Sequence, residues 1–255
     1  MGSIFIKNRK KQNISVVVDR AKNPKGIVFV MHGLGGTKKQ PHIETFANAF
    51  SESDYDVVRF DTTNTFGESD GKYEDATVTN YYEDLEDVIQ WAKGQDWYQE
   101  PFVLVGHSLG GICTGLFSER YPDKVKALAP ISSVVSNTLF LETHSEEELK
   151  KWKADGYLRT ESKSAPGGVK TLKWTFVEDR LQYDLLENAY KLTMPVLLIV
   201  GENDTRTPLK HQKLLFEKLP GKRELHIIRG AEHTFRDKEH LDEIKGIFTK
   251  WIGNL

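Results

Sequence analysis

The sequence has little of several features that mark specialised classes of protein. Its 255 residues include one cysteine, Cys113, so no internal disulfide can form, which fits a reducing compartment. The 35 basic and 37 acidic residues give a formal net charge of -2, so no charge excess indicates nucleic-acid binding or disorder. These shortages predict a globular protein that does not use nucleic acid as a partner.

Long apolar runs are also missing. The longest, around Ile27–Met31 and Val196–Val200, are far shorter than the stretch of about 20 residues that crosses a membrane. The apolar start at Ile4–Ile6 is too short for the core of a signal peptide, and Ile6 does not fit a myristoylation signal. We therefore expect a cytoplasmic protein without a membrane span.

Short apolar segments alternate with stretches of helical periodicity. Helices are predicted from the apolar spacing over Val78–Ala92, after Ser108, near Thr207–Leu219 and over Asp237–Ile252. The alternation predicts an α/β fold with a mostly parallel sheet covered by helices on both faces. Because no helix separates the first two predicted strands, we expect those two to form an antiparallel hairpin. The predicted strands are Ile14–Asp19, Ile27–Met31, Val57–Phe60, Phe102–Val105, Val125–Ala129, Pro195–Val200 and Leu225–Ile228.

One stretch breaks this alternation, and we divide the chain there. Residues 1–133 and 194–255 are predicted to form the core, and residues 134–193 an inserted cap. Insertions at strand ends of α/β folds lie over the binding site, so we expect the cap to act as a lid that shapes the pocket.

The predicted cap has its own local signals. Ser145–Glu148 is a capping box that begins a short helix, and Gly156 can end it. The alternation of Leu172, Trp174 and Phe176 predicts a strand in a hairpin that turns at Pro166–Gly168. A second cap helix is expected to follow, with an apolar face formed by Leu181, Leu185 and Ala189.

The strongest chemical signal is the pentapeptide Gly106-His107-Ser108-Leu109-Gly110, which matches G-x-S-x-G. It follows an apolar predicted strand and precedes a predicted helix. A strand-to-helix turn this sharp requires glycines because side chains there would collide, and it lifts the serine hydroxyl clear of the backbone. The motif therefore predicts Ser108 as a nucleophile.

A serine hydroxyl needs an adjacent base, and the base needs an orienting acid. Asp204 lies in the turn after a buried predicted strand and is the predicted acid, with Glu202 as its nearest rival. His233 follows the last predicted strand and is the predicted base. His226 within that strand and His240 within the last helix are expected to be structural.

Attack on a carbonyl builds negative charge on its oxygen, which must be met by hydrogen-bond donors. We expect one donor to be the backbone N–H of Leu109, directly after the nucleophile. The other is expected from the loop His32–Gly36, where glycines allow close backbone approach, and we assign it to the N–H of Leu34. His32 itself is expected to bond the loop backbone.

These motifs resemble the α/β-hydrolase superfamily. The residues that carry the resemblance are His32-Gly33 after an early strand, the serine turn, Asp204 with Pro208 behind it, and the ending Gly230–His233. Within the superfamily the chain is similar to bacterial cinnamoyl and feruloyl esterases, which also have a compact inserted cap. It departs from them at residues 61–71, where the segment is one residue longer and lacks the first glycine.

The resemblance implies a serine carboxylesterase that cleaves a small-molecule ester through an acyl-enzyme. The same groups could cleave a thioester, an amide or a carbon–carbon bond, and a non-catalytic ligand-binding protein on this fold is a further alternative. No cofactor or metal is expected, because the chain has no phosphate-binding loop, cysteine pair or H-E-x-x-H motif. The cap aromatics, with Trp152 and Trp174 among them, favour a partly apolar or aromatic acyl group.

Overall fold

The computed structural model describes residues 2–162 and 165–255. Its strands are β1 (Ile4–Lys7), β2 (Asn13–Asp19), β3 (Ile27–Met31), β4 (Asp56–Phe60), β5 (Phe102–His107), β6 (Val125–Ile131), β7 (Tyr157–Glu161), β8 (Val169–Lys173), β9 (Val196–Gly201) and β10 (Arg223–Ile228). Its helices are α1 (Pro41–Ser51), α2 (Val78–Ala92), α3 (Leu109–Arg120), α4 (Asn137–Leu141), α5 (Glu146–Asp155), α6 (Thr175–Arg180), α7 (Leu209–Lys218) and α8 (Lys238–Ile252).

Eight strands form one sheet in the order β1-β2-β4-β3-β5-β6-β9-β10. In this order, neighbouring strands run parallel from β4 to β10, and β2 pairs antiparallel with both β1 and β4. Strands β3, β5 and β9 are buried along their whole length, which explains why their sequences are continuous apolar runs. The predicted α/β fold with a mostly parallel sheet is confirmed.

Helices cover both faces of the sheet. On one face α2 and α3 bury apolar side chains such as Tyr81 and Ile112 against the sheet. On the other face α1 and α8 do the same with Phe46 and Phe248, whose rings lie 5.3 Å apart. Among the described residues, no helix combines the length and the apolar character needed to cross a membrane.

The predicted hairpin between the first two predicted strands is wrong. Strand β2 pairs antiparallel with β1, with Ile4 opposite Val16, and with β4, with Val18 opposite Val58. Strand β3 lies between β4 and β5, so the chain crosses over rather than turning back. The true hairpin partner, β1, escaped prediction because it is short and buries only Ile6 of its four residues.

The chain between β6 and β9 contains α4, α5, the two-stranded sheet of β7 and β8, and α6. The predicted capping box is present: the Ser145 hydroxyl accepts from the Glu148 N–H at 3.2 Å, and the Glu148 carboxylate accepts from the Ser145 N–H at 2.8 Å. Gly156 ends α5 at φ 77°, and β7 and β8 form the predicted hairpin around Pro166–Gly168.

Two predictions in this segment are wrong. Trp174 and Phe176 do not continue the strand, because Trp174 carries the turn into α6 and its carbonyl accepts from the Val177 N–H at 2.8 Å. The second predicted helix, through Leu181, Leu185 and Ala189, does not form. Leu185 instead donates its N–H to Val135 O at 2.9 Å, which fixes this stretch across the start of the segment.

Candidate active site

The turn from β5 to α3 places Ser108 at the carboxyl edge of the sheet. Ser108 has φ 55°, an unfavourable value for a side chain with Cβ, as expected where structure around a functional residue holds strain. A Cβ on Gly106 would lie 2.2 Å from Gly110 O, and one on Gly110 would lie 2.5 Å from His32 O. Both glycines are therefore required by close backbone contacts.

The structure brings together the three side chains that the sequence predicted as nucleophile, base and acid. His233 Nε2 lies 2.9 Å from Ser108 Oγ, and His233 Nδ1 lies 2.9 Å from Asp204 Oδ2. A carboxylate only accepts hydrogen bonds, so Nδ1 carries the proton and Nε2 presents its lone pair to the serine hydroxyl. The arrangement can therefore remove a proton from Ser108.

Asp204 is buried behind the imidazole and held as a carboxylate. Its Oδ1 accepts from the N–H groups of Arg206 and Thr207, both at 2.9 Å, and its Oδ2 is 2.8 Å from the Thr207 hydroxyl. Burial by itself raises the pKa of Asp204, but the hydrogen bond to His233, that residue's charge and the Thr207 donors together lower it below the ordinary value. The rival acid, Glu202, points away and accepts from the Gly230 N–H at 2.8 Å.

The loop His32–Gly36, called here the glycine loop, lies against the nucleophile. A Cβ on Gly33 would be 2.9 Å from Ser108 Cβ. Within residues 2–162 and 165–255, the N–H groups of Leu34 and Leu109 donate to no protein acceptor. Leu109 begins α3, whose dipole favours negative charge at that end.

Buried polar groups hold the glycine loop from behind. His32 Nε2 accepts from the Thr62 N–H at 3.0 Å, so its Nδ1 is protonated and donates to Gly33 O at 2.8 Å. This confirms the prediction that His32 bonds the loop backbone. Burial lowers the pKa of His32, which keeps the ring neutral. The Tyr81 hydroxyl accepts from the Gly35 N–H at 3.0 Å.

Two further histidines were missed by the sequence analysis. His107, the residue before the nucleophile, has its Nε2 2.9 Å from the backbone oxygen of His233 and therefore donates to it. Burial lowers the pKa of His107 to about 3, so the ring stays neutral. The buried His42 ring packs 4.5 Å from the His107 ring, and neither of its nitrogens has a partner in the described residues. Only the place of His107 inside G-x-S-x-G could have drawn attention to it.

Comparison with known proteins identifies the family of the chain. A family model described as Hydrolase_4, serine aminopeptidase S33, matches residues 22–155, more than half of the chain. The chain belongs to this family of α/β hydrolases. The bovine palmitoyl-protein thioesterase ABHD10, a mitochondrial protein, is 28% identical over 213 residues, which cover 80% of this chain. The chain spans 64% of the length of that relative.

Solved structures of other α/β hydrolases share the fold. Mouse ABHD10 superposes with a TM-score of 0.83 at 19% identity, covering 100% of this chain and 99% of that one. Est1E from Butyrivibrio proteoclasticus, solved with ferulic acid bound, superposes with a TM-score of 0.80 at 22% identity, covering 98% of both chains. At these identities the likeness extends to the fold alone.

In this α/β hydrolase an open cavity of about 900 Å³ leads to Ser108 and His233. The segment between β6 and β9 supplies what is called here the aromatic end of the cavity, lined by Phe140, Trp152, Leu172 and Phe176, with the buried Arg180 over the Phe140 ring. Trp174 lies behind this wall, with its ring 5.8 Å from that of Trp152. The wall beneath the predicted cap is therefore aromatic, and it includes a buried cation.

Cys113 is buried in α3 and is not among the residues that line the cavity. Its burial raises the pKa of the thiol well above the ordinary range, which keeps it protonated. In the part of the chain that the structure describes, no group of three or more histidine, cysteine or acidic residues is placed to hold a metal ion.

Proposed function

We propose that this α/β hydrolase cleaves carboxylic esters, and thioesters by the same chemistry, through an acyl-enzyme on Ser108. The observation that carries the proposal is the hydrogen-bonded chain Ser108–His233–Asp204, with both links at 2.9 Å. The curated relatives named as thioesterases support the same reaction class. The alternative of a non-catalytic binding protein has no feature of the site in its favour.

In the proposed reaction, Ser108 Oγ attacks the substrate carbonyl while its proton moves to His233 Nε2. The carbonyl oxygen becomes an oxyanion, which we assign to the N–H groups of Leu34 and Leu109. When the carbon–oxygen or carbon–sulfur bond breaks, His233 Nε2 gives its proton to the leaving group. Asp204 stabilises the imidazolium and keeps the ring in its working tautomer.

Deacylation repeats the sequence with water as the nucleophile. Water attacks the acyl carbon and gives a proton to His233 Nε2, and the second intermediate releases the carboxylic acid as Nε2 returns that proton to Ser108 Oγ. The aromatic end of the cavity supports a partly apolar or aromatic acyl group. The predicted core and cap boundaries and a cytoplasmic location belong to the same proposal.

The decisive experiment measures hydrolysis of p-nitrophenyl esters from acetyl to decanoyl, a feruloyl ester, and an S-acyl thioester, with an anilide as the amide probe. We expect the wild type to hydrolyse at least the medium-chain esters and Ser108→Ala to lose activity by several orders of magnitude. Ester hydrolysis that persists in Ser108→Ala, or a wild type active on the anilide alone, would overturn the proposal.

A further inference from the structure

We propose that Lys170, Arg206 and Arg236, called here the cationic rim, bind a carboxylate or phosphate on the leaving group of the substrate. All three line the cavity that contains Ser108. This inference rests on the proposed function and deepens it, since it names the charge of the alcohol or thiol that the enzyme releases.

The rim residues come from three separate parts of the chain that meet at the cavity. Arg206 follows Asp204 by two residues, and Arg236 follows His233 by three. Lys170 belongs to β8, and its Nζ lies 5.7 Å from the ring centres of both Phe66 and Tyr73.

The Phe66 and Tyr73 rings lie between Lys170 and the glycine loop. Phe66 and Tyr73 stack with ring centres 4.5 Å apart, and a Cβ on Gly35 of the glycine loop would lie 2.6 Å from the Tyr73 ring. The ammonium of Lys170 is therefore held on the glycine-loop side, whereas the two arginines follow the proposed acid and base. The rim thus draws on a strand beside the glycine loop and on the two loops that carry the proposed acid and base.

No protein carboxylate neutralises the rim. Across residues 2–162 and 165–255, none of its three side chains lies within 4.0 Å of an acidic oxygen. Lys173, three residues further along the same strand, shows the contrast, because it forms ion pairs with Asp75 and, at 3.7 Å, with Glu74. Cationic side chains elsewhere in the chain, such as Arg9 and Arg59, also have carboxylate partners.

The acidic side chains that line the cavity leave the rim charges uncompensated. They are Glu148, Glu161 and Glu232. Glu148 is occupied by the capping box of α5, where its carboxylate accepts from the N–H and the hydroxyl of Ser145. Glu161 and Glu232 are exposed and form no ion pair with a rim residue in the described part of the chain.

Without a bound anion, the three positive charges of the rim repel one another, which costs free energy. Burial lowers the pKa of Lys170 first, and repulsion by Arg206 and Arg236 lowers it further. Like charges at the mouth of a low-dielectric cavity raise the local concentration of anions, and they are relieved when an anion binds. Arginine adds a planar pair of donors that matches a carboxylate or phosphate.

We infer that the rim binds the leaving group of the substrate rather than its acyl group. The aromatic end of the cavity, with the buried Trp152 and Phe176, suits an apolar or aromatic acyl group, and the cation there, Arg180, is itself buried over the Phe140 and Phe176 rings. Arg206 and Arg236, by contrast, are exposed and belong to the core loops that carry Asp204 and His233. We therefore assign the rim to the leaving group, because a substrate that places its acyl group against the aromatic side chains leaves its alcohol or thiol to face the exposed arginines.

The test compares esters that differ only in the charge of the leaving group. The butyrate ester of para-hydroxyphenylpropanoate is compared with the ester of its neutral N-methylamide, in which the phenol oxygen has the same reactivity because two methylenes insulate it. A third ester carries a phosphate in place of the carboxylate and distinguishes the two anions. We expect wild-type kcat/KM to be about tenfold higher for an anionic ester at low salt, and this preference to shrink as salt screens the charges.

The variants are Lys170→Met, Arg206→Gln, Arg236→Gln and the triple combination, with Lys173→Met as the matched control on the same strand. We expect the anionic-to-neutral ratio of kcat/KM to fall in each single variant and to approach one in the triple variant, whereas Lys173→Met keeps the wild-type ratio. A ratio near one in the wild type, or a preference that survives in the triple variant, would overturn the proposal.

A binding measurement separates this inference from the proposed function. Ser108→Ala is titrated with the product para-hydroxyphenylpropanoate and with its N-methylamide, and the triple rim change is then added to that variant. Tighter binding of the anion, lost with the rim, would support the subsite even if no ester were hydrolysed. Equal binding of the two compounds would refute it even if esters were hydrolysed.

Discussion

The strand ends of the core and the segment between β6 and β9 are built by opposite means. In the core, β5 and β9 are buried from end to end, and the residues that follow them include Ser108 and Asp204. In the segment, the hairpin of β7 and β8 buries only Leu172, and α5 buries only Trp152. The core thus holds the reacting groups on deeply buried strands, whereas the hairpin and α5 each contribute one buried side chain to a segment that is packed mainly through α6, with Phe176, Val177 and Arg180.

The largest expected effect comes from replacing Asp204, the proposed catalytic acid, which lies in the core. We expect Asp204→Asn to lower kcat by about 10⁴-fold, the order found for the equivalent change in a serine protease, because an amide favours the wrong imidazole tautomer. Glu202→Gln is the matched control in the same turn, since Glu202 bonds the Gly230 N–H and not the imidazole. Comparable losses in both variants would refute the assignment of Asp204.

Glycine substitutions compare the backbone of the core, at Gly110, with that of the segment, at Gly156. A Cβ on Gly110 would meet His32 O at 2.5 Å, so we expect Gly110→Ala to displace the serine turn and cost at least about 100-fold in kcat. Gly156 has φ 77° and open space around it, so Gly156→Ala should cost about 1–2 kcal/mol of unfolding free energy and little activity. Kinetics and urea unfolding of both variants check this, and a fully active Gly110→Ala would contradict it.

The two regions also differ in how far the sequence predicts them. Core strands such as β3, and the partners Asp204 and His233, follow from apolar runs and from the turn chemistry after them, because deep burial leaves few alternatives. The predicted strand extends wrongly to Trp174 and Phe176. Their alternation with polar residues fits both a continuing strand and the first turn of a helix, so the pattern alone does not separate the two. The pairing of Leu185 with Val135 depends on contacts distant in sequence, which periodicity does not record.

The histidines of the core predict a pH effect of intermediate size. Burial lowers the pKa of His32, His42 and His107 in the folded protein. Below about pH 6.5 the unfolded chain therefore binds more protons than the folded one, so the free energy of unfolding falls as pH falls, by about 1.4 kcal/mol per pH unit for each such histidine. His42→Leu removes one of these contributions and should make the dependence shallower by at most about 1.4 kcal/mol per pH unit.

Urea unfolding at several pH values between 7.5 and 5 measures this slope. His42 suits the test because its ring nitrogens have no hydrogen-bond partner in the described residues, so leucine removes no bond. A slope that is unchanged in His42→Leu would show that this ring is not kept neutral by burial.

The smallest predicted effect concerns acyl preference and lies in the segment. Trp152 lines the cavity and donates its indole N–H to Leu172 O at 3.0 Å, whereas Trp174 packs behind it. Trp152→Phe should enlarge the aromatic end and shift the optimum toward longer acyl chains, by about fourfold in kcat/KM for each methylene newly accommodated. Trp174→Phe is the matched control, because it loses the same ring volume one layer further from the substrate. If the two variants shift the acyl profile equally, the segment acts through its overall packing, and the division of labour between core and segment does not hold.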